Sequence, residues 1–387
     1  MTAALPPWIV RIRERTPLWI LGFSFSMLLS NLSYGMYLVL SRDLVKTILG
    51  NNYGFMTMLV ASENLPLLFS ALGGGLADMV GRRTILLISV TGAFPLFLMG
   101  VTSIYYLPAL ATLYMAMWSL AWPSITGALL HATGSSGRSY GFYMMWATIG
   151  WGIGGPVGGV LEQVLGSSTT FYLSALIYAL SAIIPYILFP RHVIGGTART
   201  REVLEGARLA LYTFMAGSLV FAGLNLFFGS YALRLRQIAG SSSFFGVVYT
   251  LFPAIIGAIA RPLVGILSDK IRPVYVALLG TIIEATLIAL LYIAWGWMAI
   301  LIWLVPAFPF LDQGYTMLLS RRLPGRLQAL AAGIRLTMSS LGGAIVLIIS
   351  FTQVVESLLS ITIVSEALII LSCIMLGLSI YARKSYM

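Results

Sequence analysis

Twelve long apolar runs, separated by short charged segments, dominate this sequence and leave few folds open to it. They fall at 17–41, 52–75, 84–103, 104–130, 139–165, 170–190, 209–234, 242–266, 274–296, 297–320, 327–354 and 358–382. A helix crossing a hydrocarbon core of about 30 Å needs about 20 such residues, so each run is long enough for one crossing. A soluble fold fails on its surface. Hydrophobic residues make up 59% and charged residues 9% of the chain, against about 45–50% and about 25% in soluble domains, so its exterior would be mostly hydrocarbon. A membrane barrel would alternate at every second residue, which these runs do not. With one cysteine, Cys373, and two histidines, His131 and His192, neither a disulfide framework nor a metal centre or other cofactor is expected. The expectation is an all-α polytopic membrane protein with twelve transmembrane helices.

Charge then orients the chain. With the N-terminus in the cytoplasm, seventeen Lys and Arg residues fall in inner segments, from Arg11, Arg13 and Arg15 through Arg191 to Arg383 and Lys384. Four, Arg42, Lys46, Arg234 and Arg236, fall in outer segments. This positive-inside asymmetry places both termini in the cytoplasm of a cell (inner) membrane protein. The first run is too long for a cleaved signal sequence. The net charge of +11 is thus topological, and its scatter over many loops argues against nucleic acid as a partner.

The most polar internal stretch divides the chain into an N-terminal six-helix bundle (1–190), a cytoplasmic linker (191–208) and a C-terminal six-helix bundle (209–387). An internal repeat supports the division. Gly74 and Asp78 recur as Gly265 and Asp269, Gly137-Arg138 as Gly325-Arg326, and Gly154-Gly155 as Gly342-Gly343, at offsets of 191, 188 and 188. Two pseudo-symmetric bundles joined by a linker form a carrier architecture, with the solute site near the midplane between them.

After the second run comes Gly74-Gly75-Leu76-Ala77-Asp78-Met79-Val80-Gly81-Arg82-Arg83. It resembles the signature loop of the major facilitator superfamily, Gly-x-x-x-Asp-basic-x-Gly-Arg, departing from it at Met79. The second half repeats it as Gly265 to Arg272, with Lys270 basic and Arg272 in place of glycine. The resemblance implies a cytoplasmic gate of Asp78, Arg82, Arg138, Asp269, Lys270 and Arg326. Each aspartate would face a helix N-terminus or an arginine, with Arg138 and Arg326 the natural partners; simple anchoring of loops in water is the alternative. In the fifth run Gly150, Gly154, Gly155, Pro156, Gly158 and Gly159 permit close helix packing. They resemble the Gly-Pro-x-x-Gly-Gly motif of drug/proton exporters of the same superfamily, with one residue fewer between proline and glycine pair.

Charges within the runs are costly and usually functional. Arg261, Asp312 and Arg335 each lie nine residues from a charge at the cytoplasmic end of their run, about 13 Å deep and so at one level. They form either a structural ion pair or a site whose spare arginine meets an anionic group, with Asp312 as competitor or proton carrier. The stretch Arg261-Pro262-Leu263-Val264-Gly265 is also similar to the eighth helix of monocarboxylate- and oxalate-type carriers. Glu63 is the second candidate for proton coupling, while Glu284 and Glu366 are expected to be structural, on helices that the resemblance puts outside the bundles. The resemblance also implies a cavity lined by the first, fourth, seventh and tenth helices, whose residues include Asn31, Tyr34, Trp118, Trp122, Asn225, Asp312, Gln313 and Tyr315. Pro306 and Pro309 should interrupt the tenth helix.

These readings converge on a secondary active transporter of a small organic solute, working by alternating access and most simply by proton-coupled export. An organic-anion carrier or uptake symporter is the alternative. No Gly-rich loop with Gly-Lys-Ser/Thr is present for ATP, and no nucleophile–base constellation points to a membrane enzyme. The expected partners are the solute, protons and the lipid bilayer, with the chain acting as a monomer.

Overall fold

The computed structural model describes residues 18–189, 198–351 and 357–384, which are helical almost throughout and contain no strand. Arg11, Arg13, Arg15, Arg191 and His192 lie outside the described residues, as do both chain ends on which the orientation of the termini turns. Among the described residues, eleven helices are long and apolar enough to cross a membrane. One of them, Gly137–Leu188, contains two crossings, because Gly166 at φ 80° and ψ 164° breaks it in a conformation that side-chain-bearing residues avoid. The twelve crossings are α1 (Leu18–Leu49), α2 (Tyr53–Val80), α3 (Arg82–Met99), α4 (Ile104–Ala132), α5 (137–165), α6 (167–188), α7 (Thr200–Ala239), α8 (Ser242–Lys270), α9 (Pro273–Ile293), α10 (Gly296–Ser320), α11 (Gly325–Ile349) and α12 (Leu358–Lys384).

They form two six-helix bundles. In the first, α1 packs along α5 and α6, and α2 along α4; in the second, α7 packs against α11 and α12, and α9 against α10. Between the bundles α2 lies along α11 and α5 along α8. The repeated glycine pairs sit at matching places in this arrangement. A Cβ on Gly154 would run into Leu32 of α1 and one on Gly155 into Thr250 of α8; on Gly342 it would meet Ala222 of α7, and on Gly343 Asn64 of α2. Each pair therefore wedges its helix between one helix of its own bundle and one of the other. The dense glycines of α5 are thus occupied in close packing.

Proline explains two of the contacts between helices. Pro156 has no N–H to give the Gly152 carbonyl; Thr250 Oγ1 of α8 donates to that oxygen instead, at 3.1 Å. Pro66 lies in a tight turn, Leu65–Leu68, inside α2. The carbonyls of that turn accept from hydroxyls: Leu65 from Ser340 and Leu67 from Thr337 (3.1 Å), both on α11, and Pro66 from Ser119 (2.9 Å) on α4. Backbone groups freed inside a bilayer need such partners, since no water is there to serve.

Two expectations on boundaries need correction. The first helix continues to Leu49 rather than ending at 41, so Arg42 is a buried helical residue and not part of an outer loop. Likewise α7 runs from Thr200 to Ala239, taking in residues 200–208 of the expected linker and carrying Arg234 and Arg236 within the helix. Both extensions are tolerated because the arginines find partners. Arg42 pairs with Glu63 and Arg236 with Asp43, while Arg234 donates to the Tyr292 carbonyl at 2.9 Å and lies over the Trp295 ring.

Gly155→Ala would push Thr250 off the Gly152 carbonyl. We expect it to destabilise the protein by about 1–3 kcal/mol through overpacking, read as a fall in the thermal unfolding midpoint in detergent. Gly377→Ala, in open space, should leave the midpoint unchanged or raise it.

Candidate functional site

A cavity of about 450 Å³ lies between the bundles, walled by α1, α2, α5 and α7 to α11. Of the expected residues, Asn31, Tyr34, Asn225 and Arg261 line it, as does Glu63. Trp118, Trp122, Asp312, Gln313, Tyr315 and Arg335 do not. Trp118 and Trp122 stack on each other at 5.2 Å, and Trp122 is buried in an apolar cluster with Phe23, Ile125 and Tyr143; their shared face is packing. Tyr315 is buried 6.1 Å from the Phe221 ring. The Gln313 amide donates to the Arg261 carbonyl at 2.6 Å, fixing α10 to α8. The fourth helix thus contributes nothing to this wall, whereas α9, expected outside, contributes Glu284, Leu287 and Leu291.

Behind the wall the three mid-depth charges meet. Asp312 pairs through Oδ2 with Arg261 and through Oδ1 with Arg335 at 3.0 Å, and Tyr140 donates to it at 3.3 Å. Arg261 also donates to Thr148 Oγ1 at 3.2 Å. Arg335 sits 4.1 Å from the Phe221 ring centroid, yet its Nε and Nη1 are buried without a hydrogen-bond partner. The group therefore carries one positive charge in excess and two open donors. The helix bearing Asp312 is interrupted as the prolines suggested: its first segment ends at Trp303, and the second starts at Phe308. Val305, Pro306 and Ala307 of the opened turn line the cavity.

Glu63 is less free than the sequence implied. Arg42 grips both of its oxygens and Tyr37 donates to one at 2.6 Å, all within the buried interior. Neither partner was in reach of the sequence reading, which had put Arg42 in a loop. Continuing the helical count past residue 41 would have carried Arg42 inward.

On one face, Asp78 accepts from Arg82 Nη2 at 2.7 Å and from the Leu330 N–H at 2.9 Å, at the start of α11. Its counterpart Asp269 accepts from the N–H groups of Gly137 and Arg138, both at 2.9 Å, at the start of α5, and pairs with Arg321. Each carboxylate thus engages the positive end of a helix in the other bundle. The side chains of Arg138 and Arg326 are not the partners expected. Arg138 lies over the Phe142 ring and Arg326 pairs with Glu202 at 2.7 Å, because the amides reach the carboxylates first. Lys270 is exposed. His131 Nδ1 adds a contact to the Gly325 carbonyl at 2.8 Å. On the opposite face, Asp43 of α1 pairs with Arg236 of α7, and Ser242 of α8 donates to Glu162 of α5. This second set of contacts was missed, although Asp43 and Glu162 stand near the outer ends of their runs as isolated acids.

Residues 18–347 match the family model described as Major Facilitator Superfamily. The tetracycline resistance protein, class E, of Escherichia coli is 27% identical over 260 residues, 59% of this chain and 64% of the relative. The uncharacterized MFS-type transporter YqjV of Bacillus subtilis is 23% identical over 254 residues, 62% of each. The chain thus spans less than two thirds of the length of these curated relatives. Among solved structures, a mutant form of the nucleoside transporter NupG superposes with a TM-score of 0.68 at 14% identity, covering 93% of this chain and 99% of that one. The human organic anion transporter MFSD10 (TETRAN) gives 0.58 at 13% identity, covering 93% and 100%.

In a Cys373→Ser background with Asn225→Cys as reporter, Asp78→Asn and Asp269→Asn should each raise labelling of the cavity from the Asp78 face. A charged contact at a helix end is worth about 1 kcal/mol, a roughly fivefold shift. Arg138→Ala should leave labelling unchanged, since its backbone makes the contact. Asp43→Asn should raise labelling from the opposite face only; equal labelling in all four variants would mean that these contacts do not close the cavity.

Proposed function

The chain belongs to the major facilitator superfamily, and we propose that it is a secondary active transporter that exports a partly apolar organic solute in exchange for protons. It is a multi-pass membrane protein of a transporter family whose substrates are small-molecule solutes. The observation that carries the reading is the position of the cavity between two sets of contacts, one at each face, both made between bundles. Rocking of the N-terminal bundle against the C-terminal bundle would release one set while keeping the other, which is alternating access. The Asp78 face is taken as cytoplasmic, with both termini on that side of the cell membrane and the chain acting as a monomer.

Export is favoured by the partial likeness to a tetracycline resistance protein. The cavity wall is largely aromatic and aliphatic, which suits an organic solute held by few polar groups. Asp312 is assigned the coupling role as the acid held between two arginines directly behind the cavity wall. A second reading, an organic-anion carrier, rests on the two open donors of Arg335 and on the superposition with an organic anion transporter.

Removing one partner of a buried charge cluster typically costs about 3–5 kcal/mol, so Asp312→Asn alone confounds folding with coupling. The double variant Asp312→Asn/Arg335→Gln keeps the single excess charge of the native cluster. In proteoliposomes loaded with a transported solute, we expect this variant to exchange solute but not to accumulate it against a gradient. Accumulation at the native level would make Asp312 a structural counter-ion.

A further inference from the structure

Among the described residues, every charge that lines the cavity has a partner except one. Arg42 is held by Glu63 and Arg261 by Asp312. Glu284, also on the wall and 3% exposed, has no hydrogen-bond or ion-pair partner among the described residues. A carboxylate in this setting is costly to keep, by several kcal/mol when ionised and alone, and Gln or Leu would fit a lipid-embedded helix at no such cost.

The local structure explains why it opens inward. Glu284, Leu287 and Leu291 occupy one face of α9, at spacings of three and four residues. Below them Gly280 and Ala277 pack tightly on Phe310 and Gly314 of α10. Where α10 is interrupted at 304–307 there is no helical turn to cover α9, and Val305, Pro306 and Ala307 share the wall with Glu284. Beside the break stands an aromatic group. Trp303 lies 5.6 Å from Tyr249, nearly parallel to it, and 5.2 Å edge-on from Phe228, and all three line the cavity. The first segment of α10 also ends at Trp303, bringing the negative end of a helix to the same wall.

We propose that Glu284 and the opened turn of α10, with Phe228, Tyr249 and Trp303 on the same cavity wall, form a subsite for the positively charged head of an organic cation. Carboxylate and helix C-terminus both favour positive charge, the stacked rings give the wall an apolar body, and the missing member of the ion pair is one the solute can bring. An anion would find no partner in Glu284, whose ionised form a cation stabilises. The inference rests on the transporter reading and names its substrate class.

The test uses tetraphenylphosphonium and tetraphenylborate, matched in shape and opposite in charge, titrated into the purified full-length chain and followed by quenching of tryptophan fluorescence. Phosphonium affinity should fall tenfold or more in Glu284→Gln and be largely kept in Glu284→Asp, while borate affinity should hold or rise in Glu284→Gln. As a readout independent of any variant, phosphonium and not borate should raise the unfolding temperature of the native chain. Phosphonium affinity unchanged in a folded Glu284→Gln protein, or thermal stabilisation by borate alone, overturns the subsite. Phosphonium bound through Glu284 in a protein that moves no solute in proteoliposomes would instead defeat the transporter reading and leave the subsite standing.

Discussion

Two carboxylates seated on the amide ends of helices from the opposite bundle tie the two bundles together at one face of this molecule. A helix N-terminus leaves four N–H groups without intrahelical partners. At the membrane surface those of α5 and α11 would ordinarily go to water; here Asp269 and Asp78 take them at 2.9 Å. The contact demands that backbones come close. Gly265 abuts Gly137, and Gly74 abuts Ala329, with no room at either place for a Cβ. Glycine and aspartate thus act as one device, used twice, four residues apart each time.

Within the hydrocarbon a different rule governs. Charges persist there by pairing, and the pairings differ in kind. Arg42 and Glu63 form a neutral unit closed by a tyrosine hydroxyl. Arg261, Asp312 and Arg335 form an unbalanced unit, positive overall and with donors left open. Glu284 forms no unit at all. The cavity is therefore electrically uneven. Its electrostatic character comes from what remains after pairing rather than from a count of charged residues along its helices.

Much of the fold was legible because it depends on residue type summed over long windows: twelve crossings follow from hydropathy and two bundles from the recurrence of Gly74 with Asp78. The mid-depth meeting of Arg261, Asp312 and Arg335 followed from counting helical rise. What escaped the sequence depends on partners without a residue signature. That Asp78 and Asp269 face helix N-termini was one of the two expected arrangements, whereas their side-chain partners are Arg82 and Arg321 rather than Arg138 and Arg326. Arg42 looked extramembranous because hydropathy scores a side chain without its partner. Trp118 and Trp122 share a face, but spacing alone does not say whether that face meets a cavity or a neighbouring helix. Glu284 reached the wall only because a break in α10 uncovered it.

The hydroxyl that replaces the amide missing at Pro156 has a mechanical consequence. Thr250 ties α8 to the Gly152 carbonyl, and Thr337 ties α11 to Leu67 in the corresponding seam. Counted at about 1.5 Å per residue, Gly152 lies roughly 22 Å along α5 from Gly137 and roughly 15 Å from Glu162. Leu67 lies roughly 16 Å along α2 from Asp78. Both ties therefore sit well inside the membrane and far from either face, and a line through them is a fulcrum. About such an axis a tilt of roughly 10° moves the helix ends by roughly 3–4 Å, given lever arms of that length. That is more than a hydrogen bond can stretch. Under the proposed rocking, two threonines at the centre would let the ends part completely while the middle scarcely moves, turning a small rotation into an all-or-none change at the rims.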